Sequence, residues 1–198
     1  MNPNTDEYPE SPIDQPVLQT DRLFLRAFTP DDAAAVNDLL ADKEIAANTQ
    51  QIPFPYTAEM ATEWIEPQAK TWDQGRAAVF AVCLADQSEQ DTVIGVVGLE
   101  IDSIHERAEM GYWVGLEHWG KGYCTEAAAV VIDFGFEQLG LNRIFAYHML
   151  RNPASGRVMQ KLGMAQEGVL KQHAKKWGIF EDVALFGILR QPKRVTTS

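Results

Sequence analysis

The segment that most constrains the fold runs from an apolar strand through a glycine-bearing loop into a helix. Residues 108–114 are mostly apolar, Gly120 and Gly122 follow within residues 119–122, and a helical spacing of apolar residues comes next. Glycine lacks a Cβ atom, so the backbone of such a loop can approach a ligand closely. The unpaired N–H groups of the helix start and the charge of Lys121 suit a pyrophosphate. A lone pair of glycines more often only turns the chain, so other motifs must decide.

Around this unit, predicted strands alternate with predicted helices. We expect a turn at 86–91 and strands over residues 18–28, 77–85, 92–101, 108–114, 143–150, 165–176 and 180–189. Helices are expected to start at the capping residues Thr29 and Thr57 and to span residues 122–139 and 153–162. Pro67 should end or kink the second helix, and Asn152 and Gly163 should bound the last one. This order predicts a mixed α/β sheet with helices on its faces.

Both ends of the chain are predicted to lie outside the folded unit. Residues 1–16 are acidic and contain four prolines, so we expect a disordered tail, and it lacks the apolar stretch of a signal peptide. Residues 191–198 are polar and expected to fray, which leaves residues 17–190 as a single domain. The apolar loop at 48–56 could serve as a lid over a substrate.

The charge balance limits the partners of the protein. Twenty-eight acidic residues against 17 Lys and Arg give a net charge of −11, which opposes nucleic acid and anionic membranes and favours cationic partners, although solubility alone also explains it. Cys83 and Cys124 are too few for a disulfide framework, and no cluster has metal-ligand spacing, so no metal is implied. No apolar run is long enough to cross a bilayer, and the cytoplasm is the default location.

The glycine loop departs from the dinucleotide and Walker signatures, because Thr125 occupies the position of a third glycine and no Gly-Lys-Ser/Thr is present. It resembles the Q/R-x-x-G-x-G/A acyl-CoA loop of the GNAT acetyltransferases, with Glu117 where Gln or Arg is usual. The string Trp-Gly-Lys-Gly-Tyr-Cys-Thr-Glu-Ala at 119–127 is similar to the branch that acetylates ribosomal-protein N-termini at alanine or serine. Further segments resemble that branch in the same order, across nearly all of residues 18–189: 18–26, 108–114, 152–164 and 178–183.

The resemblance implies the GNAT fold. This is an α/β architecture with a mixed, mostly antiparallel seven-stranded sheet, splayed between strands 4 and 5, and with helices on both faces. Acetyl-CoA is the implied co-substrate, with its pantetheine arm in the splay and its pyrophosphate on the amides of residues 118–125. The residues implied in binding it are Trp113, Val114, His118, Trp119, Gly120, Lys121, Gly122, Tyr123, Cys124, Thr125 and Asn152.

The same resemblance suggests the catalytic groups. Glu109 on the splayed strand is the expected base that deprotonates the amine, and Glu100 on the preceding strand is the second candidate; either could also be a solvated strand acid. The tyrosine with which many members protonate the leaving thiolate is Met159 here, which has no proton to give. Ser155 is the expected substitute. Asn152 is expected to hydrogen-bond the pantetheine or position an intermediate, although both residues could serve only the helix start.

The implied function is acetyl transfer to a primary amine by direct attack on the thioester. A protein or peptide N-terminal α-amino group is the favoured acceptor, and a basic ribosomal protein would suit the negative charge. A polyamine or an aminoglycoside is the alternative among enzymes. The departures at Met159 and Glu117 also leave open a non-catalytic acyl-CoA-binding sensor on the same fold. Fold alone does not give the substrate, and either a monomer or a homodimer is compatible with the sequence.

Overall fold

The computed structural model describes residues 14–85 and 92–191. The predicted turn at 86–91, most of the predicted tail and nearly all of the predicted frayed end lie outside these ranges. None of the described helices is long and apolar enough to cross a membrane. In chain order, the strands and helices are β1 (Leu18–Gln19), β2 (Leu23–Arg26), α1 (Ala33–Leu40), α2 (Lys43–Asn48), α3 (Ala58–Ile65), α4 (Gln68–Asp73), β3 (Ala77–Leu84), β4 (Val93–Asp102), β5 (Arg107–Val114), α5 (Tyr123–Glu137), β6 (Arg143–Met149), α6 (Pro153–Lys161), β7 (Ala165–Lys176) and β8 (Ile179–Leu189).

These strands form one sheet, in the order β1-β2-β3-β4-β5-β6-β8-β7. Every neighbouring pair is antiparallel except β5 and β6, which run parallel. The predicted α/β architecture with a mixed, mostly antiparallel sheet is thereby confirmed. The sheet has eight strands instead of seven because the first predicted strand is divided by a turn, in which the Thr20 hydroxyl accepts a hydrogen bond from the Leu23 amide at 2.9 Å.

The parallel strands β5 and β6 separate after only three residue pairs. These pairs join Arg107, Ala108 and Glu109 to the first residues of β6, and no pairing continues toward Val114. Each strand keeps its outer partner, since β6 pairs with β8 from Arg143 to Met149 and β5 pairs with β4 to its end. The predicted splay is present. It lies between the fifth and sixth strands because β1 adds one to the count.

The sheet buries apolar side chains on both faces, since successive residues of a strand point to opposite sides. On β3, Phe80 and Val82 join the core that α5 covers, whereas Ala81 and Cys83 pack toward α1. The helices therefore cover both faces, as predicted. On the α5 side the helical contribution comes from Ala127, Ala128, Val131, Ile132, Phe134 and Phe136. On the other side α1 to α3 contribute Val36, Leu40, Ile45, Ala61 and Ile65.

Most helix boundaries follow the capping chemistry that the sequence predicts. The Thr57 hydroxyl caps α3, which ends before Pro67. The Asn152 side chain caps α6, and Gly163 follows it with a φ of 78°. The helix expected at Thr29 begins as a short 3-10 turn. The helices α2 and α4 are not evident from the sequence, because six residues offer too few positions for a periodic apolar signal.

Candidate active site

A cleft with a cavity volume of 1390 Å³ follows the gap between β5 and β6. The glycine loop and the start of α5 line one end of it. Glu100, Glu109, Phe145 and Tyr147 line the other end, and the loop after α2 and the start of α6 line the sides. The cleft therefore joins the predicted anion-binding loop, the splayed strands and the predicted acid–base residues in one continuous space.

The glycine loop is shaped to receive an anion. Gly120 and Gly122 have φ angles of 75° and 85°, in the left-handed region that disfavours any residue with a Cβ atom. Gly122 is also the N-cap residue of α5, whose first amides have no partner within the helix. In the part of the chain that the structure describes, the amides of Gly120, Lys121 and Gly122 donate to no protein group. These free N–H groups lie at the start of α5, where an anion is favoured.

The amides of His118 and Trp119 do not share this freedom. They donate to backbone carbonyls three residues earlier, at 2.9 and 3.1 Å. The Trp119 indole donates to the Val114 carbonyl at 2.9 Å, and Nε2 of His118 lies 3.2 Å from the Glu117 carboxylate. Both residues thus shape the loop from within. The pyrophosphate site predicted at residues 118–125 stays a prediction, and the amides of its first two residues are already engaged.

The first turn of α5 continues the wall of the cleft, which Tyr123, Cys124 and Thr125 all line. Burial raises the pKa of the Cys124 thiol to about 12. The thiol is therefore neutral at neutral pH and offers no charge to a phosphate. The attraction in this region comes from backbone N–H groups and nearby cations.

Arg22 holds the glycine loop from outside, which sequence reasoning missed. Its Nη1 donates to the Lys121 carbonyl at 3.0 Å, and its Nε donates to the Glu126 carboxylate at 2.7 Å. The guanidinium carbon also lies 4.8 Å from the centre of the Tyr123 ring. Because Arg22 precedes Lys121 by 99 residues, no local spacing could have paired them. The turn before β2, the loop and the first turn of α5 thus form one unit beside the anion site, in which Glu126 balances the charge of Arg22.

Backbone groups of β5 line the gap. The Glu106 carbonyl accepts hydrogen bonds from the start of β6, and successive strand residues point their backbone groups to alternate edges. The backbone groups of Tyr112 and Val114 therefore face the gap, whereas those of Trp113 face β4. The backbone pairing predicted at Trp113 and Val114 stays a prediction. Among the described residues, the groups that face the gap without a partner are those of Tyr112 and the Val114 amide, because the Val114 carbonyl already accepts from the Trp119 indole. The Trp113 side chain contributes to the cleft wall.

Ser155 contacts a tyrosine that sequence reasoning did not single out. The Tyr112 hydroxyl lies 2.9 Å from the Ser155 hydroxyl and 2.9 Å from the Ser155 carbonyl oxygen. The Ser155 hydroxyl is not the helix cap, because the Asn152 side chain performs that role. Met159, at the position where the resemblance expects a tyrosine, is buried in the core with 1% exposure. Tyr112 lies within a recognised strand motif, but its partner is 43 residues away in the chain.

Both ends of the Asn152 side-chain amide are engaged with protein. Its Oδ1 accepts a hydrogen bond from the Ser155 amide at 3.3 Å, and its Nδ2 donates to the Asn48 carbonyl at 3.2 Å. Asn152 therefore links the start of α6 to the end of α2 and positions Ser155. A direct contact between Asn152 and acetyl-CoA stays a prediction.

Glu100 and Glu109 are cross-strand partners at the opposite end of the cleft. Burial and the neighbouring Glu100 charge raise the pKa of the Glu109 carboxyl, and His173 partly opposes this. Nearby, the rings of Phe145 and Tyr147 lie 5.6 Å apart, and those of Tyr147 and His173 lie 5.8 Å apart. Carboxylates beside aromatic rings suit a cationic amine. Within residues 14–85 and 92–191, no group of three or more His, Cys, Asp or Glu is placed to hold a metal ion.

The end of α2 and the loop that follows it are tied to the opposite wall of the cleft. Arg151 donates to the Ala47 carbonyl of α2 and Lys176 donates to the Ile52 carbonyl of the loop, both at 2.5 Å. Lys176 is only 6% exposed, and burial lowers the pKa of its ammonium group. The loop predicted as a possible lid is therefore anchored by Lys176 at the end of β7, and the helix before it is held by Arg151, which precedes α6.

Comparisons with known proteins identify the family. The acetyltransferase (GNAT) domain matches residues 22–165. YoaA of Bacillus subtilis (strain 168), named an uncharacterized N-acetyltransferase, is 33% identical over 176 residues, which cover 88% of this chain and 97% of YoaA. YdaF of the same organism, named a putative ribosomal N-acetyltransferase, is 26% identical over 179 residues, covering 86% and 93%. The crystal structure of spermidine N-acetyltransferase from Vibrio cholerae in complex with CoA and spermine has a TM-score of 0.74 and 26% identity, covering 86% and 96%.

The family match covers most of the chain, and YoaA aligns over nearly its whole length. It confirms the expected fold and acetyltransferase activity, with acetyl-CoA as the acetyl donor of this family. The free amides of the glycine loop and the open gap beside β5 fit that donor. The chain therefore belongs to the GNAT family of N-acetyltransferases.

Proposed function

We propose that the protein transfers the acetyl group of acetyl-CoA to the α-amino group of a protein or peptide N-terminus, by direct attack of the amine on the thioester. The observation that carries this proposal is the arrangement around the gap. Glu109 and Tyr112 are three residues apart on β5, so their side chains point to opposite faces of the sheet. Tyr112 contacts Ser155. A candidate base and a candidate hydroxyl donor thus flank the gap from its two sides.

Two parts of the cleft suit the acetyl donor. The amides of residues 120–125 and the charge of Lys121 suit the pyrophosphate, on a loop that Arg22 holds in shape. The gap-facing backbone groups of Tyr112 and the gap-facing amide of Val114 suit the amides of the pantetheine arm. When bound, acetyl-CoA supplies an activated thioester, and the chain supplies its position and the handling of protons.

The chemistry assigned to the chain is modest at each step. Glu109 removes a proton from the ammonium form of the acceptor, directly or through water, because only the free amine attacks. Gap-facing N–H groups of β5 stabilise the negative charge that develops on the thioester oxygen. Ser155 donates a hydrogen bond to the departing sulfur, while Asn152 holds the start of its helix. A thiol pKa of about 8.5 makes such limited assistance sufficient.

The proposed acceptor class rests on charge and on the surface beside the cleft. The net charge of −11 and the Glu100–Glu109 pair favour a cationic amine. The motif resemblance points to the ribosomal branch, and YdaF carries a ribosomal name. Phe54 and Trp177 are 39% and 49% exposed with ring centroids 6.5 Å apart, beside the anchored loop. They offer an apolar surface to the residues that follow an N-terminal amine.

A polyamine is the second candidate acceptor. The observation that favours it is the Glu100–Glu109 pair, since two carboxylates in register suit a substrate with several positive charges. The similar Vibrio cholerae enzyme is a spermidine N-acetyltransferase. An acyl-CoA-binding sensor is a weaker reading, because Glu109 and Ser155 both lie in the cleft wall, where turnover needs them.

Turnover with a panel of amines tests the proposal. Purified protein and acetyl-CoA are mixed with basic peptides that begin with alanine or serine, with polyamines and with aminoglycosides, and free thiol release is followed. We expect the highest kcat/KM for the peptides, with mass spectrometry placing the acetyl group on the α-amino group. A peptide with a blocked N-terminus and the same lysines is the control. Turnover of polyamines alone would replace the proposed acceptor, and acetyl-CoA binding without thiol release would contradict catalysis.

A further inference from the structure

We propose that Tyr112 is a positioning residue for catalysis, which turns the Ser155 hydroxyl into a hydrogen-bond donor toward the departing sulfur. This inference rests on the proposed function, in which Ser155 assists the leaving thiolate. Tyr112 lies on the splayed strand β5 and reaches the first turn of α6 on the other side of the gap. It is thus the side chain that joins the two walls at the place where the thioester is expected.

The geometry gives the single hydroxyl proton of Tyr112 two possible acceptors. The Ser155 carbonyl oxygen and the Ser155 Oγ both lie 2.9 Å from the Tyr112 hydroxyl. When Tyr112 donates to the carbonyl, its oxygen can accept the Ser155 proton, which is then unavailable to the sulfur. When Tyr112 donates to Oγ, the Ser155 proton is free to point to another acceptor. The second arrangement is the one that assists catalysis.

Tyr112 remains a neutral donor in both arrangements. Burial raises the pKa of its phenol well above the ordinary range, the Ser155 hydrogen bond lowers it only in part, and the neighbouring Cys124 adds a small increase. A phenol of this kind does not ionise near neutral pH, so Tyr112 is not the final source of the proton. Its contribution is the direction and polarisation of the Ser155 hydroxyl.

The step balances without ionising either hydroxyl. The bond from the amine nitrogen to the acetyl carbon forms, the carbon–sulfur bond breaks, and its electron pair moves to sulfur. During this change the Ser155 proton is hydrogen-bonded to sulfur, and the Tyr112 proton is hydrogen-bonded to the Ser155 oxygen. Glu109 passes the first ammonium proton to solvent and then accepts the second proton, which the nitrogen loses as the amide forms, and the thiolate takes a proton from water on release.

A purely structural role for the Tyr112 hydroxyl makes a different prediction. In that case its bond to the Ser155 carbonyl only stabilises the first turn of α6. Removing the hydroxyl would then lower the thermal midpoint and leave kcat unchanged. A positioning role lowers kcat, and it does so only while Ser155 has a hydroxyl to position.

A double-mutant cycle separates the two roles. We compare kcat, KM for acetyl-CoA and the thermal midpoint in the wild type, Tyr112→Phe, Ser155→Ala and the double variant. Tyr112→Phe should lower kcat about tenfold, with KM changed less than about twofold, because the loss is confined to the transition state. The same change in the Ser155→Ala background should lower kcat no further. An equal loss in both backgrounds, or an unchanged kcat in Tyr112→Phe, would overturn the inference.

A second variant keeps the test valid if Tyr112→Phe does not fold. Fluorotyrosine at position 112 keeps the shape of the ring and its hydrogen bond but lowers the pKa of the phenol. If Tyr112 is a positioning residue, fluorotyrosine should leave the pH profile unchanged and kcat within about twofold of the wild-type value. A twofold change in kcat corresponds to about 0.4 kcal/mol in activation free energy. If a limb of the pH profile of kcat shifted to lower pH with the lower pKa of the fluorinated phenol, Tyr112 would itself titrate in catalysis, and the positioning role would be overturned. Wild-type turnover is measured first, so that a lack of acetyl transfer contradicts the proposed function, whereas additive losses contradict only this inference.

Discussion

Glu100 and Glu109 are direct cross-strand partners on β4 and β5, so two carboxylates share one end of the cleft. Like charges in register disfavour each other's ionisation, and Glu109 is half-buried whereas Glu100 is exposed. Burial, and after it the Glu100 charge, raises the pKa of the Glu109 carboxyl. Glu109 remains the proposed base, and Glu100 is expected to contribute to the pH at which this base works.

Glu109→Gln should lower kcat by about 10²–10⁴ at neutral pH and by less at alkaline pH, because free amine is then available without a base. Steady-state rates across this pH range measure the effect. Glu66→Gln, which changes an exposed carboxylate outside the cleft, is the matched control. A small loss that does not depend on pH would transfer the role to Glu100.

Glu100→Gln should move the acidic limb of the kcat/KM profile to lower pH. Removing the neighbouring negative charge lowers the raised pKa of Glu109, so this base stays ionised at lower pH. The profiles of variant and wild type are compared with the same amine, whose own titration is then identical in both. If the limb does not move, the group that it reports is not Glu109.

Gly122→Val should abolish measurable acetyl-CoA binding, because a Cβ atom at a φ of 85° strains the loop and intrudes beside the anion site. Gly140→Val is the matched control, since Gly140 has a φ of 69° but lies after α5, away from the cleft. It should lower stability while leaving affinity near the wild-type value. Calorimetric titration with acetyl-CoA decides, and an unchanged affinity in Gly122→Val would contradict the loop assignment.

Arg22→Ala should weaken acetyl-CoA binding about tenfold, since charge-assisted hydrogen bonds to the Lys121 carbonyl and to Glu126 are lost. At saturating acetyl-CoA, kcat should change little, because Arg22 touches no reacting group. Lys171→Ala is the control, as it removes a cation from an exposed ion pair with Asp182 on the last hairpin. Equal affinities for the two variants would mean that Arg22 does not hold the loop in its binding shape.

Ser155→Ala should lower kcat roughly ten- to a hundredfold with little change in KM for acetyl-CoA, a loss confined to the transition state. Its effect on the thermal midpoint should be small, because Asn152 makes the capping bond of α6. Both quantities are measured on one preparation. A lowered thermal midpoint with unchanged kcat would contradict a catalytic role for Ser155.

Features with a local cause were predictable from the sequence. The φ angles of Gly120 and Gly122 and the cap at Asn152 depend on neighbouring residues, and the motif that carries Glu109 also marks the splayed strand. The contacts between Tyr112 and Ser155 and between Arg22 and Lys121 have no such signal, because each pair is brought together only by the folded sheet.

Register was equally hidden from the sequence. Which edge of β5 a given amide faces depends on its pairing with β4, so the gap-facing position next to Val114 is Tyr112 instead of Trp113. The split of the first strand follows from one side-chain hydrogen bond at Thr20, which composition does not reveal. The two six-residue helices are too short for periodicity to identify.

β5 pairs with β6 only at Arg107, Ala108 and Glu109, so the sheet consists of two parts that are joined at one end. Beyond these paired residues, the edge of β5 that faces β6 presents backbone donors and acceptors that pair with no described strand. Such an edge can pair with another extended chain. A pantetheine arm lying there would serve as a temporary strand. Binding of the acetyl donor would then also make this part of the sheet more rigid. Slower amide hydrogen exchange at Tyr112 and Val114 would therefore report the occupancy of the site.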